Sequence, residues 1–138
     1  MTALRTITAF AACLLLGTTT GAGAQSVDGA WTGQITCVML IFTAKAAMEM
    51  TVANGQASYS GSRGVGTESG SGAVAADGDI TLTGSGTSAA EDKPRYTYTA
   101  SYSGKISGGA ATLKGTQAWS FDGKTENRAC SIALERNG

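Results

Sequence analysis

The 138-residue sequence carries ten basic and ten acidic side chains and no histidine. This balance provides no basic patch for nucleic acid and no basic amphipathic stretch for a membrane surface. Without histidine, the Ser–His and Cys–His pairs of nucleophilic catalysis cannot form. We therefore expect a protein that is not an enzyme, with no catalytic residues and no cofactor.

The first 24 residues are predicted to be a signal peptide. Arg5 supplies a positive charge, residues 7–16 an almost continuous apolar run that includes Cys13, and Ala22-Gly23-Ala24 an A-x-A cleavage site. The run is too short to span a bilayer as a helix, so no membrane span is expected after cleavage. Residues 25–138 then form one domain of formal charge −1, because Arg5 is lost. Its predicted location is the bacterial periplasm or the medium.

Residues 25–138 are predicted to form β-strands, because short alternating runs are separated by turn signals. These signals are Asn54-Gly55, Asp77-Gly78, Gly108-Gly109 and Asp122-Gly123, and Asn-Gly and Asp-Gly favour type I′ hairpin turns. The eight predicted strands span residues 31–39, 46–53, 56–62, 72–76, 79–86, 95–106, 110–121 and 126–136.

Three segments between or within these strands carry further expectations. Residues 43–50 could form a helical turn instead, although the following Asn-Gly signal favours a hairpin. The glycine-rich segment 61–72 is expected to be a mobile loop, and segment 88–94 a second rim loop.

Each predicted strand has one apolar face and one face rich in serine and threonine. This alternation is typical of an antiparallel sheet with one solvated face. The predicted apolar face comprises Trp31, Ile35, Cys37, Met48, Met50, Val52, Ala57, Tyr59, Val74, Ile80, Leu82, Tyr96, Tyr98, Ala100, Tyr102, Ala111, Leu113, Gly115, Gln117, Trp119, Phe121, Cys130, Ile132 and Leu134.

Cys37 and Cys130 lie on the apolar faces of the first and last predicted strands. In an oxidising compartment we expect them to form a disulfide, which requires Cα atoms within about 7 Å. If those strands are neighbours, the meander closes as an all-β, eight-stranded antiparallel barrel; a two-sheet sandwich bonded between its sheets is the alternative. With both cysteines oxidised and no histidine, no metal site is expected.

Six aromatic residues of the predicted inner face are candidate ligand contacts: Tyr59, Tyr96, Tyr98, Tyr102, Trp31 and Trp119. An interior lined by tyrosine and tryptophan could hold one small amphipathic ligand, or the same rings could simply fill the core. A cavity should show as inward-facing tyrosine hydroxyls without a protein partner, whereas a packed core leaves no void. The acidic residues, Glu68 among them, are expected mostly in turns or on outer faces.

Several of these motifs together resemble a group of small exported bacterial proteins. The shared pattern is a Trp strand with an early cysteine (Trp31, Cys37), a V-x-x-D-G hairpin at residues 74–78, a Tyr-rich strand and a late R-x-C at residues 128–130. It spans most of residues 27–136, and because the group has no assigned activity, it implies no functional residue.

Two further likenesses are fainter. "WTG" at 31–33 and "TQAW" at 116–119 are similar to avidin barrels, whose ligand site uses several tryptophans where this chain has two. Single-disulfide protease-inhibitor barrels are similar at the level of the fold alone.

The sequence therefore predicts an exported, non-catalytic β-barrel binding module for a small ligand or a protein partner. One alternative is a periplasmic inhibitor or envelope-associated protein that acts through loops 61–72 and 88–94. A second is a small outer-membrane barrel, whose strand number and alternation fit. Against the second, large apolar residues are few, and Lys114 and Arg136 lie in or near strands.

Overall fold

The computed structural model describes residues 26–39, 42–88 and 96–138. Within these ranges it has eight strands, which are β1 (Gly29–Met39), β2 (Phe42–Ala53), β3 (Gln56–Arg63), β4 (Gly66–Val74), β5 (Asp79–Thr87), β6 (Thr97–Ser107), β7 (Ala110–Phe121) and β8 (Lys124–Arg136). The same ranges contain no helix that is long and apolar enough to cross a membrane. The predicted signal peptide and all but Ser88 of the predicted 88–94 loop lie outside the described residues.

The strands form a closed antiparallel barrel. Each strand pairs with the next along the chain, and β1 pairs with β8 to close the cylinder. At this seam Cys37 lies directly opposite Cys130, and a disulfide joins them with Cα atoms 4.0 Å apart. The predicted barrel and disulfide are therefore confirmed, and the two-sheet sandwich is wrong.

The hairpin turns follow the predicted signals, with one difference in type. Asn54-Gly55 and Asp122-Gly123 both have positive φ at their two central residues, as type I′ turns require. Asp77-Gly78 instead belongs to a four-residue connection between β4 and β5, in which only Gly78 has positive φ. The Asp77 carboxylate accepts a hydrogen bond from the Asp79 backbone nitrogen there.

The hairpin favoured for residues 43–50 is confirmed, whereas the helical turn left open there and the mobile loop predicted at 61–72 are wrong. Residues 43–50 form no helical turn, because β2 runs through them and pairs with β1 from Thr43 onward. The segment 61–72 is no mobile loop: β3 continues to Arg63 and β4 begins at Gly66, leaving a two-residue turn. Its backbone groups are paired with β3 and β5, so glycine density here reflects lack of space rather than freedom.

The apolar faces of the strands meet inside the cylinder and form its core. Buried side chains alternate with exposed ones along most of the sheet, as in the pattern of β6 from Thr97 to Ser107, whereas the first four residues of β8 are all exposed. The predicted apolar face is confirmed, with the largest residues fully enclosed and Tyr96 and Phe121 packed against the core at its margin.

The barrel has two unlike ends. The "open end" carries the connections β1–β2, β3–β4, β5–β6 and β7–β8, and the "closed end" carries the other three connections and the two ends of the described chain. Trp31 is completely buried near the closed end and donates its indole N–H to the Val27 carbonyl, 3.2 Å away. Val27 packs against the core there, so the segment before β1 helps to cover that end.

Candidate ligand-binding site

A cavity of about 490 Å³ occupies the open half of the barrel. One wall is aliphatic and includes Ile35 of β1, Ala46 of β2 and the disulfide-bonded Cys37. The opposite wall is aromatic and is built from β6 and β7. Exposed Lys45 and Arg63 lie at its margin, so the cavity passes from a cationic rim to a deeper interior.

The floor of the cavity is a buried carboxylate. Glu68 on β4 is only 4% exposed, and its two oxygens accept four hydrogen bonds. Oε1 accepts from the hydroxyls of Tyr59 and Tyr102 at 2.9 and 2.8 Å, and Oε2 from the Tyr98 hydroxyl and Gln117 Nε2 at 2.7 and 2.8 Å. Four is the number of acceptor positions that an ionised carboxylate offers. We call Glu68, Tyr59, Tyr98, Tyr102 and Gln117 the "Glu68 network".

The Glu68 network keeps its tyrosines protonated. Burial, followed by the charge of Glu68, raises the pKa of Tyr59, Tyr98 and Tyr102 well above the usual range. A second tier of bonds extends it: Gln117 Nε2 also donates to the Tyr102 hydroxyl at 3.2 Å, and the Trp119 indole N–H donates to Gln117 Oε1 at 3.1 Å. Within the described ranges, no buried side-chain nitrogen or oxygen lacks a hydrogen-bond partner.

Glycines on β4 and β5 make room for the tyrosine rings of this network. A Cβ atom at Gly86 would overlap the ring of Tyr98, and one at Gly84 would overlap the hydroxyl of Tyr59. Both tyrosines therefore lie across the backbone of strands that offer no side chain at these points. This close approach brings the hydroxyl of Tyr59 from β3 and that of Tyr98 from β6 to Glu68 on β4.

The aromatic wall holds a cation of the chain itself. Tyr98 stacks on Trp119 with ring centroids 4.2 Å apart, and the Arg128 guanidinium lies 4.3 Å from the Trp119 centroid. The Arg128 side chain is 13% exposed and donates from Nε to Glu126 Oε1 at 3.3 Å. Tyr96 and Phe121 extend the wall towards the rim in an edge-to-face pair.

The structure divides the six predicted ligand contacts into three groups. Tyr96, Tyr98 and Trp119 line the cavity. Tyr59 and Tyr102 lie below its floor, where they bind Glu68 from the core side. Trp31 lies towards the closed end, so these six residues do not form one ring around a ligand.

Two sequence expectations about this region need correction. Glu68 is not in a turn or on an outer face, because residues 66–74 form a strand whose even-numbered positions point inward. The alternation Gly66, Glu68, Gly70 and Gly72 was a signal for this strand, hidden by the absence of large apolar residues. A cavity was expected to leave the inner tyrosine hydroxyls without protein partners. The hydroxyls of Tyr59, Tyr98 and Tyr102 all have such partners, and a cavity is present as well.

The Glu68 carboxylate is fully engaged by donors, which leaves it no free acceptor position for taking a proton from a substrate. In the described part of the chain, no three His, Cys, Asp or Glu side chains lie close enough to hold a metal ion.

None of the family models, curated proteins or solved structures compared with this chain matches it. The likenesses noted in the sequence therefore stay expectations.

Proposed function

We propose that this chain is an exported, non-catalytic β-barrel binding module that holds one small ligand in its open-end cavity. The observation that carries this proposal is the cavity itself. Its volume of about 490 Å³ falls in the range of roughly 300–1,000 Å³ that is usual for small-molecule sites. Its lining has the usual composition too, with mostly apolar and aromatic walls and a few convergent polar groups.

Two features of the barrel argue against the alternative functions, and a third supports export. Among the residues whose side chains the structure describes, Val38, at 59%, is the one large hydrophobic residue that is exposed, whereas a lipid-facing barrel presents an apolar outer band. The segment 61–72 is a tight hairpin rather than a long loop, which removes one of the two surfaces through which an inhibitor would act. The Cys37–Cys130 disulfide supports export, because such bonds persist in oxidising compartments.

Native mass spectrometry of protein purified from the periplasm tests the proposal directly. We expect a bound species of small-molecule mass that is released on denaturation. Ala46→Phe, which fills the aliphatic side of the cavity, should abolish the bound species. The matched control is Ala47→Phe on the exposed outer face of the same strand, which should retain it. Absence of any bound species from the wild type, or its equal loss in both variants, would contradict the proposal.

A further inference from the structure

The hydrogen-bond donors at the cavity floor are all in use. The three tyrosine hydroxyls, the two amide hydrogens of Gln117 and the indole N–H of Trp119 supply six donor hydrogens. Six hydrogen bonds use them, four to Glu68, one to the Tyr102 hydroxyl and one to Gln117 Oε1. What the lining of the floor still offers is acceptor capacity, on the Tyr98 hydroxyl oxygen and on Gln117 Oε1. A ligand that reaches the floor must therefore bring the donors.

The floor also carries negative charge without a neighbouring cation. Across residues 26–39, 42–88 and 96–138, the ion pairs involve Lys105 and Arg128, and no lysine or arginine nitrogen lies within 4.0 Å of the Glu68 carboxylate. Its charge is stabilised by hydrogen bonds from neutral groups alone. An interior site that excludes water strengthens the attraction between this carboxylate and an incoming cation.

The aromatic wall beside the floor already binds a cation. Arg128 lies over the Trp119 ring at 4.3 Å, which is within the usual distance for a cation–π contact. Its own charge is balanced by Glu126, whose carboxylate it contacts at 3.3 Å. Lys45 and Arg63 are exposed at the rim, where water and salt screen their repulsion of a cation bound deeper inside.

We propose that the open-end cavity binds an organic cation whose N–H-bearing group, an ammonium or amidinium on an apolar or aromatic body, enters first and lies against the Glu68 network. This inference rests on the proposed function, because it assigns a ligand class to the same cavity. The aliphatic wall and the stacked Tyr98 and Trp119 rings enclose the body of the ligand. The cationic rim remains free to contact a polar or anionic outer end.

Benzamidine, benzamide and benzoate have nearly equal shapes and different charges. They therefore distinguish the effect of ligand charge from that of ligand shape. Each is titrated into the purified protein, and binding is followed by calorimetry and by the change in tryptophan fluorescence. We expect benzamidine to bind at least about tenfold more tightly than benzamide, because a charge-assisted hydrogen bond is about twice as strong as a neutral one. Benzoate should bind most weakly, because it brings no donor and has the same charge as Glu68.

Glu68→Gln keeps the shape of the floor and removes its charge. This variant should lose most of the preference for benzamidine over benzamide. Glu49→Gln is the matched control, because it makes the same chemical change on the exposed face of β2 and should bind all three probes as the wild type does. If Glu68→Gln fails to fold, the order of the three probes on the wild-type protein decides the matter alone.

The outcomes distinguish this inference from the proposed function. Equal or tighter binding of benzoate, blocked by Ala46→Phe, would overturn the cation assignment and leave the small-ligand cavity standing. No binding of any probe to the wild type at millimolar concentration would overturn the cation assignment. Absence of a co-purifying species as well would overturn the proposed function.

Discussion

The closed half of the barrel is filled by apolar side chains, whereas the open half contains a carboxylate, its hydrogen-bond donors and a cavity. Trp31, Ile80 and Leu134 in the closed half are at most 2% exposed and form contacts without direction. Glu68 in the open half is 4% exposed but requires four donors at fixed positions. Both halves contain buried side chains, and only the open half retains space for another molecule.

The difference shows how one sheet can supply both a packed core and a cavity. Apolar contacts tolerate small rearrangements, and the free energy lost when they are removed is proportional to the area that they bury. Removing one donor from a buried charge has a cost that depends on geometry rather than on area, because the remaining groups stay in low dielectric without a partner. The open half is therefore held in one geometry by the Glu68 network and the disulfide rather than by close packing.

The largest expected effect is loss of the disulfide that closes the seam. Replacing both Cys37 and Cys130 by alanine releases a bond with a sequence separation of 93, for which the chain-entropy model gives about 4–5 kcal/mol. Urea denaturation of the double variant should show this loss of unfolding free energy, and wild-type protein in reductant should behave similarly. A loss below about 1 kcal/mol would mean that strand pairing alone closes the barrel.

Trp31→Ala tests the closed half by removing its most enclosed large side chain. The expected loss of stability is about 3–5 kcal/mol, as for other buried tryptophans, with no change in affinity for benzamidine. Val38→Ala, at a position that is 59% exposed, is the control and should be nearly neutral. A Trp31 variant as stable as this control would show that the closed end is not tightly packed.

Tyr98→Ala tests the open half at a ring that adjoins existing empty space. Because part of the ring's surroundings is already a cavity, the unfolding free energy should fall by at most about 3 kcal/mol. This is the lower limit for truncating a core aromatic. Affinity for benzamidine should fall as well, because a wall of the site is removed. A larger loss of stability together with unchanged affinity would identify Tyr98 as a core residue only.

Alkaline pH is expected to weaken the open half first. Burial and the charge of Glu68 raise the pKa of Tyr59, Tyr98 and Tyr102 above that of the unfolded chain. The stability that these hydroxyls contribute is therefore fully present below about pH 10, and it declines as the pH rises above that value.

Tyr102→Phe isolates this effect with a single atom. It removes the hydrogen bond that Tyr102 donates to Glu68 and the one that it accepts from Gln117. The bond to the charged carboxylate alone should cost about 1.5–3 kcal/mol at pH 7. Above pH 10 the variant should lose stability less steeply than the wild type, as measured by urea denaturation at a series of pH values. Phe121→Leu changes an aromatic residue outside the Glu68 network, so its stability should decline with pH as steeply as that of the wild type. Identical pH slopes for Tyr102→Phe and the wild type would show that Tyr102 does not contribute to the alkaline loss.

The sequence alone determined the strand periodicity, most turns, the core face and the disulfide. These are local properties, because the two-residue alternation of a strand and the positive φ of Asn-Gly or Asp-Gly turns depend on neighbouring residues only. The pairing of Cys37 with Cys130 followed because a single pair of cysteines remains after the predicted cleavage. With the ends of the meander joined, closure as a barrel was the simplest topology.

Only the tertiary structure decided the role of Glu68 and the fate of the glycine-rich segment around it. That segment has almost no large apolar side chain of its own, so nothing in its local pattern separates a flexible loop from a strand. Its inner face is covered by side chains from outside the segment: the ring of Tyr59 lies against Gly70, and the hydroxyls of Tyr59 and Tyr98 meet at the Glu68 carboxylate. A buried charge becomes acceptable only when donors from several strands converge on it, and that convergence exists only once the barrel has closed.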